Sequence, residues 1–220
     1  MSSVDEDQTS VLTELEEPAE GEELVERPPG RTARDAARVR RRSAGNALLG
    51  WAADVRTGER DRRIAARAER KVARELRRLD PGWWILHSIP LDDDGADVDH
   101  LLIGAAGVFV LEVRDLSGSE VRANDLAVMV DRRETMLLPE TRAHAERVGE
   151  QLSAACGFEV PVRPVLVVLA RQLAVKRQPE GLDVVGRHRI ARWLGEQPPV
   201  QSFETAAAVH FVARRVDTWR

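Results

Sequence analysis

The chain has very little cysteine, no tyrosine and no long hydrophobic run. Its single cysteine, Cys156, excludes a disulfide within the chain. No apolar run approaches the ~18 residues that a membrane-spanning helix requires, and the N-terminus has neither the basic nor the apolar segment of a secretory signal peptide. We therefore expect a cytoplasmic protein that has no membrane partner.

Lysine is almost absent from an otherwise highly charged composition. Lys71 and Lys176 are the only lysines among 33 basic residues, and all the others are arginines. With 43% hydrophobic and 32% charged residues, the 220-residue chain is typical of a globular protein of one domain with extensions.

Charge is distributed unevenly along the chain. Residues 1–30 carry ten acidic groups and one basic group, whereas residues 31–78 carry 16 basic and six acidic groups. The first 42 residues have too few large apolar side chains to offset the entropy of ordering them. We predict a disordered tail over 1–42, acidic and then basic, and a folded domain over 43–220. The basic segment is either a solvated charge run or a contact for phosphate or for the acidic tail.

Hydrophobic periodicity predicts an α/β fold. A long amphipathic helix with an arginine-rich polar face is expected over 58–79, ending before a Pro-Gly pair. The run 165–170 is apolar throughout, which is typical of a strand buried on both faces. Other strands are predicted at 83–89 and 182–185, a small ribbon at 119–138, and helices at 140–156, 189–194 and 203–219. This order predicts a mixed central sheet with helices on both faces.

A β-hairpin is predicted around Gly104-Ala-Ala-Gly107, because this turn separates two runs rich in Val, Ile, Leu and Phe. If Gly104 pairs with Gly107, Asp99 lies opposite Glu112. Asp97 would then lie opposite Arg114 on the same face, with opposed Cβ atoms about 5 Å apart.

Carboxylates within apolar strands are costly to bury unless they bind a metal, pair with a cation or reach water. Asp99 and Glu112 are close enough in the predicted hairpin to share one divalent cation. The alternative is a solvated strand face with cross-strand ion pairs. The neighbouring His100 is expected to be a hydrogen-bonded structural residue, because no second ligand stands at a zinc-like spacing from it.

The arrangement resembles the PD-(D/E)xK nucleases, which combine an acidic residue on a helix with Asp and Glu-x-Lys on neighbouring strands. More specifically, the chain resembles the nuclease-related domain (NERD) family. The segments that carry this resemblance are 68–73, 82–83, 86–90, 97–100, 107–110, 154–157, 162–165, 192–194, 213–215 and 218–219. The resemblance implies a restriction-endonuclease-like fold over the folded domain.

The resemblance also implies roles for four residues. Glu69 corresponds to the helix acid, Asp99 and Glu112 to the strand carboxylates, and Arg114 to the position of the family's lysine. Asp99 and Glu112 would hold Mg²⁺ or Mn²⁺ for hydrolysis of DNA phosphodiesters. The alternative is a catalytically inactive module on the same fold that binds nucleic acid or another protein.

Two departures from the family pattern bear on activity. Arg114 can stabilise charge on a phosphate, but its pKa above about 12 prevents it from acting as a base. On the following helix, Arg142-Ala-His-Ala-Glu-Arg147 displaces the acid of the family's pattern. Either His144 occupies that place or Glu146 replaces the acid from a different face of the helix.

Overall fold

A seven-stranded mixed sheet forms the centre of the molecule, with helices packed on both of its faces. The computed structural model describes residues 24, 27–29, 51–91 and 97–219, with the backbone alone for 51–60. The predicted α/β architecture with a mixed sheet between helices is confirmed. The described helices include none long and apolar enough to cross a membrane.

The described elements follow one another in the order expected from the sequence. They are α1 (Trp51–Leu76), β1 (Trp84–Pro90), β2 (Asp97–Gly104), β3 (Gly107–Ala123), β4 (Val128–Val130), β5 (Arg133–Glu134), α2 (Leu137–Cys156), β6 (Val162–Val175), β7 (Asp183–Gly186), α3 (Ile190–Gly195) and α4 (Phe203–Ala213). Short 3₁₀ turns, Arg187–Arg189 and Val216–Trp219, precede α3 and follow α4.

Strand β3 organises the sheet. It pairs antiparallel with β2, which in turn pairs antiparallel with β1. On its other side it pairs in parallel with β6, and β6 pairs in parallel with β7. The far end of β3 also carries the small ribbon of β4 and β5. At 17 residues, β3 thus links the hairpin to the ribbon.

Alternation of side chains along β2 and β3 divides the core between the two faces. Leu101 and Val110 face the core shared with α2 and α4, whereas Leu102 and Phe109 face the core shared with α1 and α3. Each face of the hairpin is therefore fixed by a separate helical layer, and a register slip of one residue would exchange the two sets.

The predicted terminal helix over 203–219 is wrong beyond residue 213, where α4 ends. Two side chains that follow donate hydrogen bonds to backbone carbonyls at the end of α4. The Thr218 hydroxyl donates to the Val212 carbonyl at 2.8 Å, and the Trp219 indole N–H donates to the Ala213 carbonyl at 2.9 Å. The chain therefore turns back and buries the Trp219 ring in the core, at 2% exposure.

Leu24 belongs to the hydrophobic core although it lies within the predicted tail. Its side chain is fully buried in the α2 and α4 core, and its backbone N–H donates to the Arg214 carbonyl at 2.7 Å. Residues 27–29 are also described. The rest of the predicted tail, with the boundary placed at residue 43, lies outside the described residues.

Helix α2 ends at Cys156, whose side chain is largely buried. Gly157 follows in the left-handed conformation, with φ of 75°, and its N–H donates to the Ser153 carbonyl, which is a common way for a helix to end. Burial raises the pKa of the Cys156 thiol to about 11.

Candidate functional site

The hairpin has the register predicted from its glycines. Gly104 pairs with Gly107, and the ladder runs to the pair of His100 and Leu111. Gly107 has a φ of 115°, which disfavours any side chain. At Gly104, a Cβ atom would lie 3.0 Å from the Trp83 ring and 3.1 Å from the Gly82 carbonyl, so glycine is required there by close packing.

Strands β2 and β3 separate just beyond this ladder, and the separation creates the candidate site. Asp99 Oδ2 accepts a hydrogen bond from the Val113 N–H at 2.6 Å, in the place where a backbone carbonyl would otherwise pair. Among the described pairs, Asp97 is matched with Pro90 of β1, and the predicted opposition of Asp97 to Arg114 is not a strand pair.

Three of the four predicted site residues meet at this separation. Glu112 is 2% exposed and its Oε2 atom lies 3.1 Å from Arg114 Nη1. The same Nη1 atom lies 3.9 Å from Asp99 Oδ2 and donates to the Val113 carbonyl at 3.1 Å. The guanidinium thus bridges the two carboxylates, and about 30% of the Arg114 side chain remains exposed.

The fourth predicted residue, Glu69, is buried on α1 at 5% exposure and acts on the site through its charge. The pKa of Asp99 is raised well above its usual value, first by burial and then by the negative charges of Glu112 and Glu69. The Val113 N–H and the Arg114 guanidinium act in the opposite direction. Burial and two neighbouring carboxylates therefore disfavour the ionised form of Asp99.

The sequence was compared with models of known protein families. A model of the nuclease-related domain matches residues 64–169. The match agrees with the resemblance found in the sequence. The matched segment extends from α1 into β6 and contains all four predicted site residues. Searches among curated proteins and solved structures found no match.

The structure places the two candidate residues of α2 differently. His144 Nδ1 lies 2.8 Å from Glu112 Oε1, whereas Glu146 is exposed to solvent. His144 precedes Ala145 of the buried face of α2. His144 is therefore the α2 residue that contacts Glu112, and both carboxylate oxygens of Glu112 contact a basic side chain.

The pKa of His144 should report this contact. The hydrogen bond to Glu112 raises it above the usual 6.5, against the lowering effect of partial burial. In a ¹H–¹⁵N NMR titration we expect the pKa of His144 to fall in Glu112→Gln and to remain unchanged in the matched variant Glu146→Gln. A pKa that responds to Glu146 and not to Glu112 would contradict the arrangement.

A pair of histidines joins the hairpin to β1. His87 and His100 are strand partners, and their Nδ1 atoms lie 2.8 Å apart. Burial lowers the pKa of His87 to about 4, with a smaller contribution from the charge of Arg77. Burial also lowers the pKa of His100 well below 6.5, with a smaller contribution from His87. Both rings are therefore neutral at pH 7, so one ring nitrogen can donate to the other. His100 is the hydrogen-bonded structural residue that the sequence predicts.

Within the described part of the chain, no three His, Cys, Asp or Glu side chains are grouped so that they could hold a metal ion. The carboxylates that come together at the separation of β2 and β3 are Asp99 and Glu112, and their oxygens are shared with Arg114 and His144.

Proposed function

We propose that this protein hydrolyses DNA phosphodiester bonds with the help of a divalent metal. The observation that carries the proposal is the meeting of Asp99, Glu112 and Arg114 where β2 and β3 separate. The reaction adds water across a P–O bond, so the site must activate water and stabilise negative charge on the phosphate.

The electrostatics of the carboxylates support a divalent cation. Burial and the charges of Glu112 and Glu69 both disfavour the ionised form of Asp99, and a bound cation would offset that cost. Carboxylate oxygens are the ligands that Mg²⁺ and Mn²⁺ prefer, and Asp99 and Glu112 would supply them. When bound, such an ion supplies a Lewis acid that lowers the pKa of water and neutralises charge on the attacked phosphate.

Arg114 has an electrostatic role in this proposal. Its guanidinium cannot take a proton from water, but it presents five N–H donors in a planar fork. Nη1 holds Glu112 at 3.1 Å, and the other donors suit the non-bridging oxygens of a phosphate. His144 holds the second oxygen of Glu112 and so fixes the orientation of that carboxylate. Glu69 assists through the negative charge it adds near Asp99.

One observation favours an inactive module as a second candidate. Both oxygens of Glu112 are already paired, with Arg114 and with His144, so its charge is compensated without a metal. A protein that retained this fold for binding nucleic acid or another protein would keep these ion pairs and lose turnover.

Cleavage assays with three matched proteins test the proposal. We expect the wild type and Glu146→Gln to cleave single- or double-stranded DNA with Mg²⁺ or Mn²⁺. This cleavage should stop when EDTA is added. Glu112→Gln should cleave at least a hundredfold more slowly, because it removes a charged oxygen ligand of the proposed divalent cation. Equal rates for wild type and Glu112→Gln would refute the hydrolase; no cleavage by any protein, with retained DNA binding, would establish the second candidate.

A further inference from the structure

A cavity lies outside the carboxylate site, at the carboxyl end of β7 and beside the second half of β6. Its volume is about 250 Å³, and it opens between α1, β6 and the 3₁₀ turn that follows β7. Apolar residues of β6 form part of its wall. Its polar lining consists of Lys71, Ser117, Arg187, His188 and Arg189.

The cavity carries a positive charge excess. Lys71, Arg187 and Arg189 are basic residues, and the acids beside them are Asp115 and Glu75. Lys71 Nζ lies 3.9 Å from Asp115 Oδ2, a distance too long for a strong hydrogen bond. Glu75 is only 7% exposed and also pairs with an arginine outside the cavity lining, Arg78. Basic groups therefore outnumber acidic ones around the open space.

Glu75 organises the cations that line the cavity. Its Oε1 atom lies 3.7 Å from both Arg187 Nη1 and His188 Nδ1. Arg187 Nη2 in turn contacts His188 Nε2 at 2.6 Å, which requires that the imidazole accept at that nitrogen. A buried carboxylate thus lies within ion-pair distance of two adjacent side chains of one short turn.

A phosphate group fits this lining. Arginine presents a planar fork that matches phosphate oxygens, and lysine adds a compact positive charge. In sheets with parallel strands, ligands bind outside the carboxyl ends of those strands, and β7 ends here. The exposed arginines of α1 on the approach, Arg63, Arg67 and Arg74 among them, extend the positive surface.

We propose that this cavity binds a phosphate group, and that the phosphate belongs to the DNA backbone away from the scissile bond. The inference rests on the proposed function, because it takes DNA as the substrate. Asp115, which contacts Lys71 of the cavity, directly follows Arg114 of the carboxylate site in β3. The two sites therefore lie at neighbouring positions of one strand, from which the side chains project to opposite faces of the sheet.

The test measures DNA binding in EDTA, so that its result does not depend on cleavage. Wild type, Arg187→Gln/Arg189→Ala and the control Arg133→Ala/Arg147→Ala are titrated with a fluorescent DNA 20-mer at several salt concentrations. The control removes two exposed arginines, one on β5 and one on α2. Melting curves establish that all three proteins are folded.

The cavity variant should bind about tenfold more weakly at low salt, with a plot of log affinity against log salt that is less steep by about 1. The control should keep the slope of the wild type. Equal losses of affinity and slope in the two variants would overturn the cavity proposal. If the wild type shows no metal-dependent cleavage while the two variants still differ in DNA affinity and salt slope, only the proposed function is overturned.

A second titration distinguishes DNA from a small phosphate compound. Inorganic phosphate is titrated into the wild type and the cavity variant by calorimetry, at constant ionic strength. Phosphate binding that is lost in the variant, together with DNA binding equal to that of the wild type, would overturn the DNA assignment in favour of a free phosphate. Competition between inorganic phosphate and DNA that disappears in the cavity variant would support the assignment to DNA.

Discussion

Asp99→Asn is expected to stabilise the metal-free protein and to reduce its metal-dependent DNA cleavage by at least a hundredfold. The asparagine Oδ1 atom can still accept from the Val113 N–H, so the separation of β2 and β3 is preserved. What is lost is a negative charge that burial, Glu112 and Glu69 all disfavour in the folded state. That same charge is the one we propose for metal binding.

The sign of the stability change follows from the raised pKa of Asp99. A carboxyl group whose pKa is higher in the folded than in the unfolded protein destabilises the fold as pH rises above the unfolded value, about 3.9. Asp99→Asn and wild type should therefore melt together near pH 3.5. At pH 7.5 without metal, the variant should melt a few degrees higher, since 1 kcal/mol corresponds to about 2–4 °C in a protein of this size.

A matched carboxyl group provides the control. Asp131 is exposed, and hydrogen bonds from Ser119 and then from the Glu120 N–H lower its pKa, so its ionised form is favoured in the fold. Asp131→Asn should not raise the melting temperature at pH 7.5. In addition, Mg²⁺ should raise the melting temperature of the wild type and leave that of Asp99→Asn unchanged. A destabilised Asp99→Asn would contradict the charge balance of the site.

Leu24→Ala is expected to cost about 2–5 kcal/mol of folding free energy, as large-to-small substitutions in well-packed cores do. The side chain is fully buried among the residues between the sheet, α2 and α4. The melting temperature should fall by roughly 5–15 °C. Leu126→Ala, at a leucine that is 83% exposed, serves as the control and should leave the melting temperature unchanged.

The same contact sets the N-terminal limit of a stable protein. A chain that begins at residue 43, the boundary predicted from composition, lacks Leu24 and its hydrogen bond to Arg214. Thermal denaturation of chains that begin at 43 and at 20 tests this limit. The longer chain should melt at the temperature of the full-length protein, and equal melting of both truncated chains would show that Leu24 adds nothing.

The hairpin was predictable because its determinants are local. Gly104 and Gly107 fix the turn, and alternation of apolar residues fixes which face each strand presents. The position of Arg114 was not predictable in detail. The Asp99 side chain accepts the hydrogen bond of the Val113 N–H, and the ladder between β2 and β3 ends there. Hydrophobic periodicity does not predict a side chain that competes with backbone hydrogen bonds. Ser88, with a φ of 52° on the other side of β2, marks the same irregularity.

The remaining differences depend on contacts between distant segments. The sequence left His144 and Glu146 as alternatives, and only the packing of α2 against β3 places His144 at Glu112. Leu24 and Val25 lie between Glu23 and Glu26, and two apolar residues are too few to show a periodicity that would predict the docking of Leu24. The His87 and His100 pair could have been found by extending the hairpin register to β1, since both residues follow from one alignment of the strands.

The buried thiol at the end of α2 has a practical consequence for measuring motions. The thiolate is the form that attacks maleimides and other alkylating reagents, and a pKa of about 11 leaves Cys156 almost entirely protonated at pH 7. A cysteine introduced on the surface outside the proposed sites, for example at Arg133, should therefore react selectively in the otherwise native sequence. Dyes or spin labels attached there would report distances to labelled oligonucleotides without a cysteine-free background.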